Sequence, residues 1–212
     1  MTDPVFGRLF VALLMFATPC AAAQGSGMTL YAGFAGGGSG LQRSAATPPA
    51  ADQALRLDAG ATASGSIEWT LDTARQLQVF VSHQRTSLDV PGATGGATPR
   101  HLPLQVTHVH LGGTNYVDAR VGQGVYVLGG LGLTRFAPGL AGFDTEVRAS
   151  MNLGVGYAWP VTPWLGLRAE LRGVATLINS GGSFLCSGGC TVSIKGDALT
   201  QAQALLGLAF SY

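Results

Sequence analysis

The stretch "ALLGLAFSY", residues 204–212, carries apolar side chains at every second position: Leu206, Leu208, Phe210 and Tyr212. Such strict alternation predicts a β-strand with one apolar face, because successive side chains of a strand point to opposite sides. Unanchored chain ends are usually polar and without pattern. The last strand is therefore expected to belong to a sheet, and the surroundings of its apolar face decide the fold.

The composition is unusual for a soluble domain and favours a membrane protein. Charged residues make up 11% of the 212-residue chain and 32 residues are glycine, against about 25% charged and about 7% glycine in ordinary soluble domains. The net charge is +1 and Lys195 is the one lysine, so no basic surface for nucleic acid is expected. No apolar run after the N-terminus approaches the roughly 18 residues of a spanning helix, which leaves strands closed into a barrel.

The N-terminal residues predict a secretory signal peptide. Arg8 precedes an unbroken apolar run over residues 9–17, and small residues follow at 21–23. A basic start, a short apolar stretch and a small-residue cleavage site are typical of such peptides, and the run is too short to span a bilayer. We expect a signal peptide over residues 1–23 and a single barrel domain over residues 24–212.

Apolar alternation recurs along the rest of the chain and predicts an all-β protein. The predicted strands are 28–37, 61–71, 75–88, 104–116, 125–136, 146–159, 165–178 and 198–212. The connections alternate between long segments and short turns, as in bacterial outer-membrane barrels with long extracellular loops and short periplasmic turns. These features predict an eight-stranded antiparallel transmembrane β-barrel.

Two of these strands indicate which face meets lipid. In residues 146–159 and 165–178 one face is apolar, whereas the other combines charged residues with glycine, serine and asparagine. The outer surface of a soluble barrel carries about 25–35% charged residues, whereas these polar faces are rich in glycine, serine and asparagine. The apolar faces are therefore expected to meet lipid and the polar faces to line the lumen.

All three glutamates of the chain are predicted to point into the barrel. With the inward-facing arginines they are expected to form a lumen charge network of Glu68, Glu146, Arg148, Arg168, Glu170 and Arg172. Because residues 146–159 and 165–178 are hairpin neighbours, their charges are expected to pair across the two strands. An eight-stranded barrel is just wide enough for side chains to fill. A packed polar lumen is therefore the main interpretation, and a gate or narrow solute path is the alternative.

A group of aromatic residues favours the same arrangement in the membrane. They fall at the short-turn end, where an interfacial girdle is expected: Trp69, Tyr157, Trp159, Trp164, Phe210 and Tyr212. The final "GLAFSY" resembles the C-terminal signature of outer-membrane β-barrels, which the barrel-assembly machinery reads in that family; Gly207, Phe210 and Tyr212 match it. Over residues 24–212 the chain is similar to small eight-stranded barrels of the OmpA/OmpX/OmpW type, which implies a Gram-negative outer membrane.

Cysteine and histidine supply the remaining candidate sites. Cys186 and Cys190 lie in the last long connection and are expected to form a disulfide in an oxidising compartment. His108 and His110 share one face of a strand, but no third metal ligand is evident, so we expect a hydrogen-bonding role in the lumen and no metal or cofactor. Lipid A deacylases of this fold carry serine two residues after a catalytic histidine. His83, His108 and His110 all lack it, so no enzyme is expected.

The chain is interpreted as a monomeric, non-enzymatic outer-membrane protein whose polar lumen is filled by side chains. Its role is expected to be structural or surface-interactive, through the extracellular loops at the cell surface. A narrow, porin-like channel for small or hydrophobic solutes is the alternative, and an enzyme acting on envelope lipids comes third. The expected partners are outer-membrane lipid, lipopolysaccharide, the barrel-assembly machinery and a surface ligand or envelope protein, with no nucleic acid.

Overall fold

A computed structural model describes residues 25–37, 41–42, 54–55, 57–90, 100–118, 120–139, 144–177 and 198–211. The expected signal peptide, Cys186, Cys190 and Tyr212 lie outside these residues. The strands are β1 (Ser26–Gly36), β2 (Leu41–Gln42), β3 (Ala54–Leu55), β4 (Gly60–Thr70), β5 (Arg75–Val90), β6 (Arg100–Tyr116), β7 (Gly124–Pro138), β8 (Glu146–Pro160), β9 (Leu165–Leu177) and β10 (Ala198–Ser211). The described ranges contain no helix with the length and hydropathy of a membrane span.

Eight of the strands close into a barrel, in the order β1-β10-β9-β8-β7-β6-β5-β4, and β2 and β3 pair separately. Every neighbouring pair is antiparallel, and β10 closes the barrel against β1, with Leu208 opposite Leu30. Closure pairs the edge strands with each other, so every barrel strand has two neighbours and its backbone groups are satisfied inside a bilayer. The predicted eight-stranded antiparallel barrel is confirmed.

The strand bounds follow the prediction closely, except where strands continue beyond the apolar alternation. β6 begins at Arg100 rather than at residue 104, because its pairing with β5 extends to Val90 opposite Arg100. Backbone hydrogen bonds between antiparallel strands do not require an apolar face. A hairpin that rises out of the hydrocarbon layer therefore continues without the sequence pattern that identified it.

Burial alternates along the strands as the sequence predicts. The outward residues of β8 and β10 are apolar and exposed, with Leu153 73% and Leu206 70% accessible. The inward residues are buried and mostly polar, interrupted by two small apolar clusters: Tyr31, Phe80 and Leu205, and Tyr116, Tyr126, Leu128 and Ala158. This is the reverse of a soluble barrel, since the apolar surface faces out and the polar side chains fill the lumen.

The two ends of the barrel differ, and we call them the turn end and the loop end. The turn end holds the start of β1, the end of β10 and the connections 71–74, 117–123 and 161–164. In the first of these turns, Asp72 Oδ1 accepts hydrogen bonds from the backbone N–H groups of Ala74 and Arg75, at 2.9 and 2.8 Å. Trp159 and Trp164 are exposed at this end, where the aromatic girdle is expected. The connections at the loop end fall largely outside the described residues.

Candidate functional site

The charged residues of β9 lie at the centre of the lumen. Arg168, Glu170 and Arg172 are successive inward positions of this strand and are almost fully buried. Leu167, just before them, and Leu171, between Glu170 and Arg172, face outward and are exposed. Strand alternation alone produces this arrangement. Charges this deep are stable only when paired and hydrogen-bonded, so their partners decide what the lumen can do.

Glu68 of β4 is the partner of Arg168 across the lumen. Arg168 Nη1 donates to Glu68 Oε1 at 2.9 Å. The same carboxylate accepts hydrogen bonds from the Thr29 hydroxyl at 3.2 Å, from Gln78 Nε2 at 3.2 Å and from the Ser66 hydroxyl. The buried carboxylate therefore has the several donors that an ionised group needs away from water.

The second ion pair joins Glu170 to Arg172, two residues along the same strand. Arg172 Nε donates to Glu170 Oε2 at 2.7 Å, and the hydroxyls of Tyr31 and Tyr126 both donate to Glu170 Oε1 at 2.7 Å. The Arg172 guanidinium also lies 3.7 Å from the centre of the Phe80 ring, within the range of a cation–π contact.

Gln78 of β5 connects the two ion pairs. Its Nε2 donates to Glu68 Oε1, and its Oε1 accepts from Arg172 Nη2 at 3.0 Å. We call Glu68, Gln78, Arg168, Glu170 and Arg172 the central cluster. It contains two carboxylates and two guanidinium groups, so its charges balance.

The sequence did not predict the roles of Gln78, Tyr31, Tyr126 or Phe80. Gln78 stands directly opposite Glu68 in the β4–β5 register, and a hairpin with so short a turn determines that register. This signal was present in the sequence. The tyrosines reach Glu170 from β1 and β7 across the lumen, and no local pattern in the sequence encodes that meeting.

The expected pairing of charges between the strands β8 and β9 does not occur. Opposite the charged residues of β9 stand Gly154, Gly156 and Ala158, which offer no polar side chain. Glu146 and Arg148 instead pair with each other near the loop end, and no described contact joins them to the central cluster. The six predicted residues therefore form two separate groups rather than one network.

Two inward glycines make room for the tyrosines of the central cluster. A Cβ atom on Gly156 would lie 2.3 Å from Cζ of the Tyr126 ring, and one on Gly207 would lie 2.5 Å from Cδ1 of Tyr31. Real Cβ atoms do not approach other atoms so closely, so any side chain here displaces a ring. Gly207, which matches the C-terminal signature, thus also has a packing function.

The two inward histidines lie between the central cluster and the loop end. Their rings stack with centroids 5.8 Å apart. His108 Nδ1 hydrogen-bonds with Thr134 Oγ1 at 2.8 Å, and His110 Nε2 with Ser150 Oγ at 2.9 Å. Within the described part of the chain, no group of three His, Cys, Asp or Glu side chains is placed to hold a metal ion. The two histidines therefore take part in the hydrogen bonding of the lumen.

Several buried polar atoms near these histidines have no hydrogen-bond partner among the described residues. They are Ser64 Oγ, Gln84 Oε1, His110 Nδ1, Gln201 Nε2 and Gln203 Oε1, and we call their residues the polar layer. An unpartnered buried polar atom costs about 1–3 kcal/mol, and polar interiors reduce this cost by binding water. The polar layer therefore has the chemistry of a hydrated compartment. In the central cluster both carboxylates are bonded to protein, although Arg168 Nε and Arg172 Nη1 also have no partner among the described residues.

The architecture was compared with protein families, curated proteins and solved structures. No protein-family model matches the chain, and no curated protein matches it in sequence. Solved structures do match it. The fold is that of small outer-membrane β-barrels. The outer-membrane protein AlkL is 13% identical with a TM-score of 0.59, over 92% of this chain and 94% of AlkL.

Two further barrels have the same fold. The outer-membrane protein OprG of Pseudomonas aeruginosa is 8% identical with a TM-score of 0.55, over 88% of this chain and 96% of OprG. Neisserial surface protein A is 14% identical with a TM-score of 0.50, over 89% of this chain and 97% of that protein. Identities this low show the fold alone, so the function has to be argued from the lumen and the outer surface.

Proposed function

We propose that this chain is a non-enzymatic barrel of the bacterial outer membrane whose lumen is closed by its own side chains. Its role is structural or surface-interactive, carried by the connections at the loop end, which face the cell exterior. The observation that carries this proposal is the central cluster, because it places two buried, mutually bonded ion pairs across the middle of the lumen.

An ion crossing this lumen would have to separate groups that are bonded to each other. Arg168 reaches from β9 to β4, and Gln78 ties that pair to Arg172. Separating a fully buried ion pair leaves uncompensated charge and costs about 3–5 kcal/mol. A lumen blocked by such contacts supports an insulating barrel rather than a pore.

The alternative, a narrow path for small or hydrophobic solutes, is favoured by the polar layer. Its unpartnered atoms are the kind of lining that a hydrated compartment has. A path through the barrel nevertheless requires the central cluster to open, because its ion pairs cross the middle of the lumen. An enzymatic role finds less support, because His108 and His110 are buried in the lumen and hydrogen-bonded to hydroxyl groups.

Planar-bilayer recording of the purified full chain tests the proposal. We expect no resolved current steps from the wild-type protein, and steps from Glu68→Ala/Arg168→Ala, which removes the trans-lumen pair and shows that an open lumen is detectable. A wild-type current whose ion selectivity changes in Glu170→Gln would overturn the insulating barrel and establish the channel.

We propose that Cys186 and Cys190 form a disulfide in the last connection of the loop end. Gly207, Phe210 and Tyr212 are proposed to be read by the barrel-assembly machinery during insertion. The remaining partners are outer-membrane lipid, lipopolysaccharide and a surface ligand or envelope protein.

A further inference from the structure

On the outer face of β5, β6 and β7, an apolar row of residues is followed directly by a basic row toward the loop end. Val81, Val109 and Leu133 lie side by side in register and form an apolar row. Both Val109 and Leu133 are about half exposed. This row belongs to the lipid-facing surface of the barrel.

The next row toward the loop end consists of His83, Thr107 and Arg135, again directly opposite one another. Beyond it, Arg85 stands opposite Gln105, and both are exposed. These five side chains face outward, because the residues that alternate with them are buried in the lumen. We call them the basic patch.

The side chains of the basic patch lie close to one another. His83 Nδ1 hydrogen-bonds with Thr107 Oγ1 at 3.0 Å. The positive charges of Arg85 and Arg135 both lie near the His83 ring. Two cations and an imidazole therefore share one small area of the outer surface, which raises the local preference for an anion.

Acidic side chains are missing from the outward face of the barrel strands, as far as their side chains are described. Glu68, Glu146 and Glu170 all point inward. Asp58, just before β4, is an acid on the loop-end side, and its Oδ2 accepts from the Ser87 hydroxyl at 2.5 Å. Among the described side chains, the outward strand surface around the basic patch therefore carries positive charge, and Asp58 lies beside it at Ser87.

The position of the patch along β5 matches a membrane boundary. Arg75 is the outward arginine at the turn end, where it pairs with Asp72 at 2.6 Å. At about 3.3 Å per residue and ~40° of tilt, Arg75 and Arg85 are separated by about 25 Å along the barrel axis, the height of the apolar band of an outer-membrane barrel. Arg85 thus lies at the headgroup level of the leaflet on the loop-end side.

We propose that the basic patch binds the phosphate groups of lipopolysaccharide in the outer leaflet. The inference rests on the outer-membrane location in the proposed function, with the loop end outside. Arginine binds phosphate through paired hydrogen bonds, and the apolar row of Val81, Val109 and Leu133 continues directly below to receive acyl chains. Lipid A, the membrane anchor of lipopolysaccharide, combines phosphates with acyl chains, so its chemistry matches both halves of this surface.

Native mass spectrometry of the full chain, titrated with bis-phosphorylated lipid A, tests this site. Wild-type protein is expected to bind it more tightly than dephosphorylated lipid A or phosphatidylglycerol. Arg85→Gln/Arg135→Gln should bind phosphorylated lipid A about 25-fold more weakly, because it removes two arginines that each contribute about fivefold near a lipid headgroup. The matched control, Arg75→Gln, also removes an outward arginine from β5 and should bind like wild type. Asp58→Asn should bind at least as tightly as wild type.

The heat-dependent mobility of each variant in SDS gels confirms that its barrel is folded before binding is compared. Equal binding by wild type and the double variant would refute the site, and so would phosphatidylglycerol binding as tightly as lipid A. Loss of binding in Arg75→Gln to the same extent would also refute it. Conductance is recorded in a separate experiment. A barrel that does not conduct and shows no preference for lipid A contradicts only this inference. A barrel that conducts and prefers lipid A contradicts only the proposed function.

Discussion

Replacing Glu170 with glutamine removes one charge from the central cluster and leaves its shape nearly unchanged. The carboxylate accepts three hydrogen bonds, from the hydroxyls of Tyr31 and Tyr126 and from Arg172 Nε. The amide offers one acceptor oxygen and turns its NH₂ group toward either the tyrosines or the arginine. Arg172 then keeps its charge without its counter-ion.

The magnitude follows from burial. The side chains of Arg172 and Glu170 are both 0% exposed, so water does not screen the loss, and breaking such a pair costs about 3–5 kcal/mol. Glu146→Gln is the matched control, because Glu146 also pairs with an arginine two residues along its strand, but the side chains of Arg148 and Glu146 are 25% and 19% exposed. Its loss is expected to be about 1 kcal/mol.

Urea unfolding from lipid vesicles, followed by tryptophan fluorescence, measures both variants. Glu170→Gln should lower the midpoint by about 1–2.5 M, with Glu146→Gln shifting it far less and neither variant conducting ions. Removing both charges, in Glu170→Gln/Arg172→Met, should recover part of the loss because no unpaired charge remains. Equal shifts for the two single variants would refute the reasoning, since burial would then not determine the cost.

Two further predictions concern packing and the first turn. Gly207→Ala forces a Cβ into the Tyr31 ring and should lower the unfolding free energy of the refolded barrel by about 1–3 kcal/mol; Gly173→Ala, which meets only ordinary contacts, should not, and equal effects would contradict the packing role. The hydrogen bond from the Arg75 side chain lowers the pKa of Asp72 below its ordinary value of 3.8. Because the pKa of Asp72 is lowered in the folded state, its carboxylate stabilises the fold above pH 3.8, and this stabilisation is lost as the pH falls through the folded-state pKa. The difference in unfolding free energy between wild type and Asp72→Asn should therefore close below about pH 4. A difference that persists at lower pH would contradict this role of Asp72.

The fold was predictable because period-two alternation is a local property. The alternation within each strand distinguishes its two faces. Because the polarity is the reverse of that in a soluble barrel, the apolar face is assigned to lipid and the polar face to the lumen. Neighbour contacts in short hairpins are nearly as accessible, as the register of Glu68 and Gln78 shows. The inward direction of the three glutamates follows from the same alternation.

Contacts across the lumen were not predictable from the same information. Whether Arg168 meets Glu68 or a residue of β8 depends on strand tilt and on the stagger accumulated around the closed barrel, and neither is encoded in one strand. The expectation of pairing between β8 and β9 failed because Gly154 and Gly156 occupy the facing positions. The conformation of the loop-end connections and the Cys186–Cys190 disulfide stay predictions.

The central cluster also bears on how the barrel forms. Its contacts draw on β1, β4, β5, β7 and β9, with Arg168 and Glu68 separated by 100 residues and Tyr31 and Glu170 by 139. The contacts between Arg168 and Glu68 and between Tyr31 and Glu170 join distant strands, so an open sheet is not expected to form them before β1 meets β10. We expect these trans-lumen contacts to form late, after most strand pairing, and interactions that form after the rate-limiting step slow unfolding without accelerating folding. The filled lumen is therefore expected to slow the unfolding of the inserted barrel.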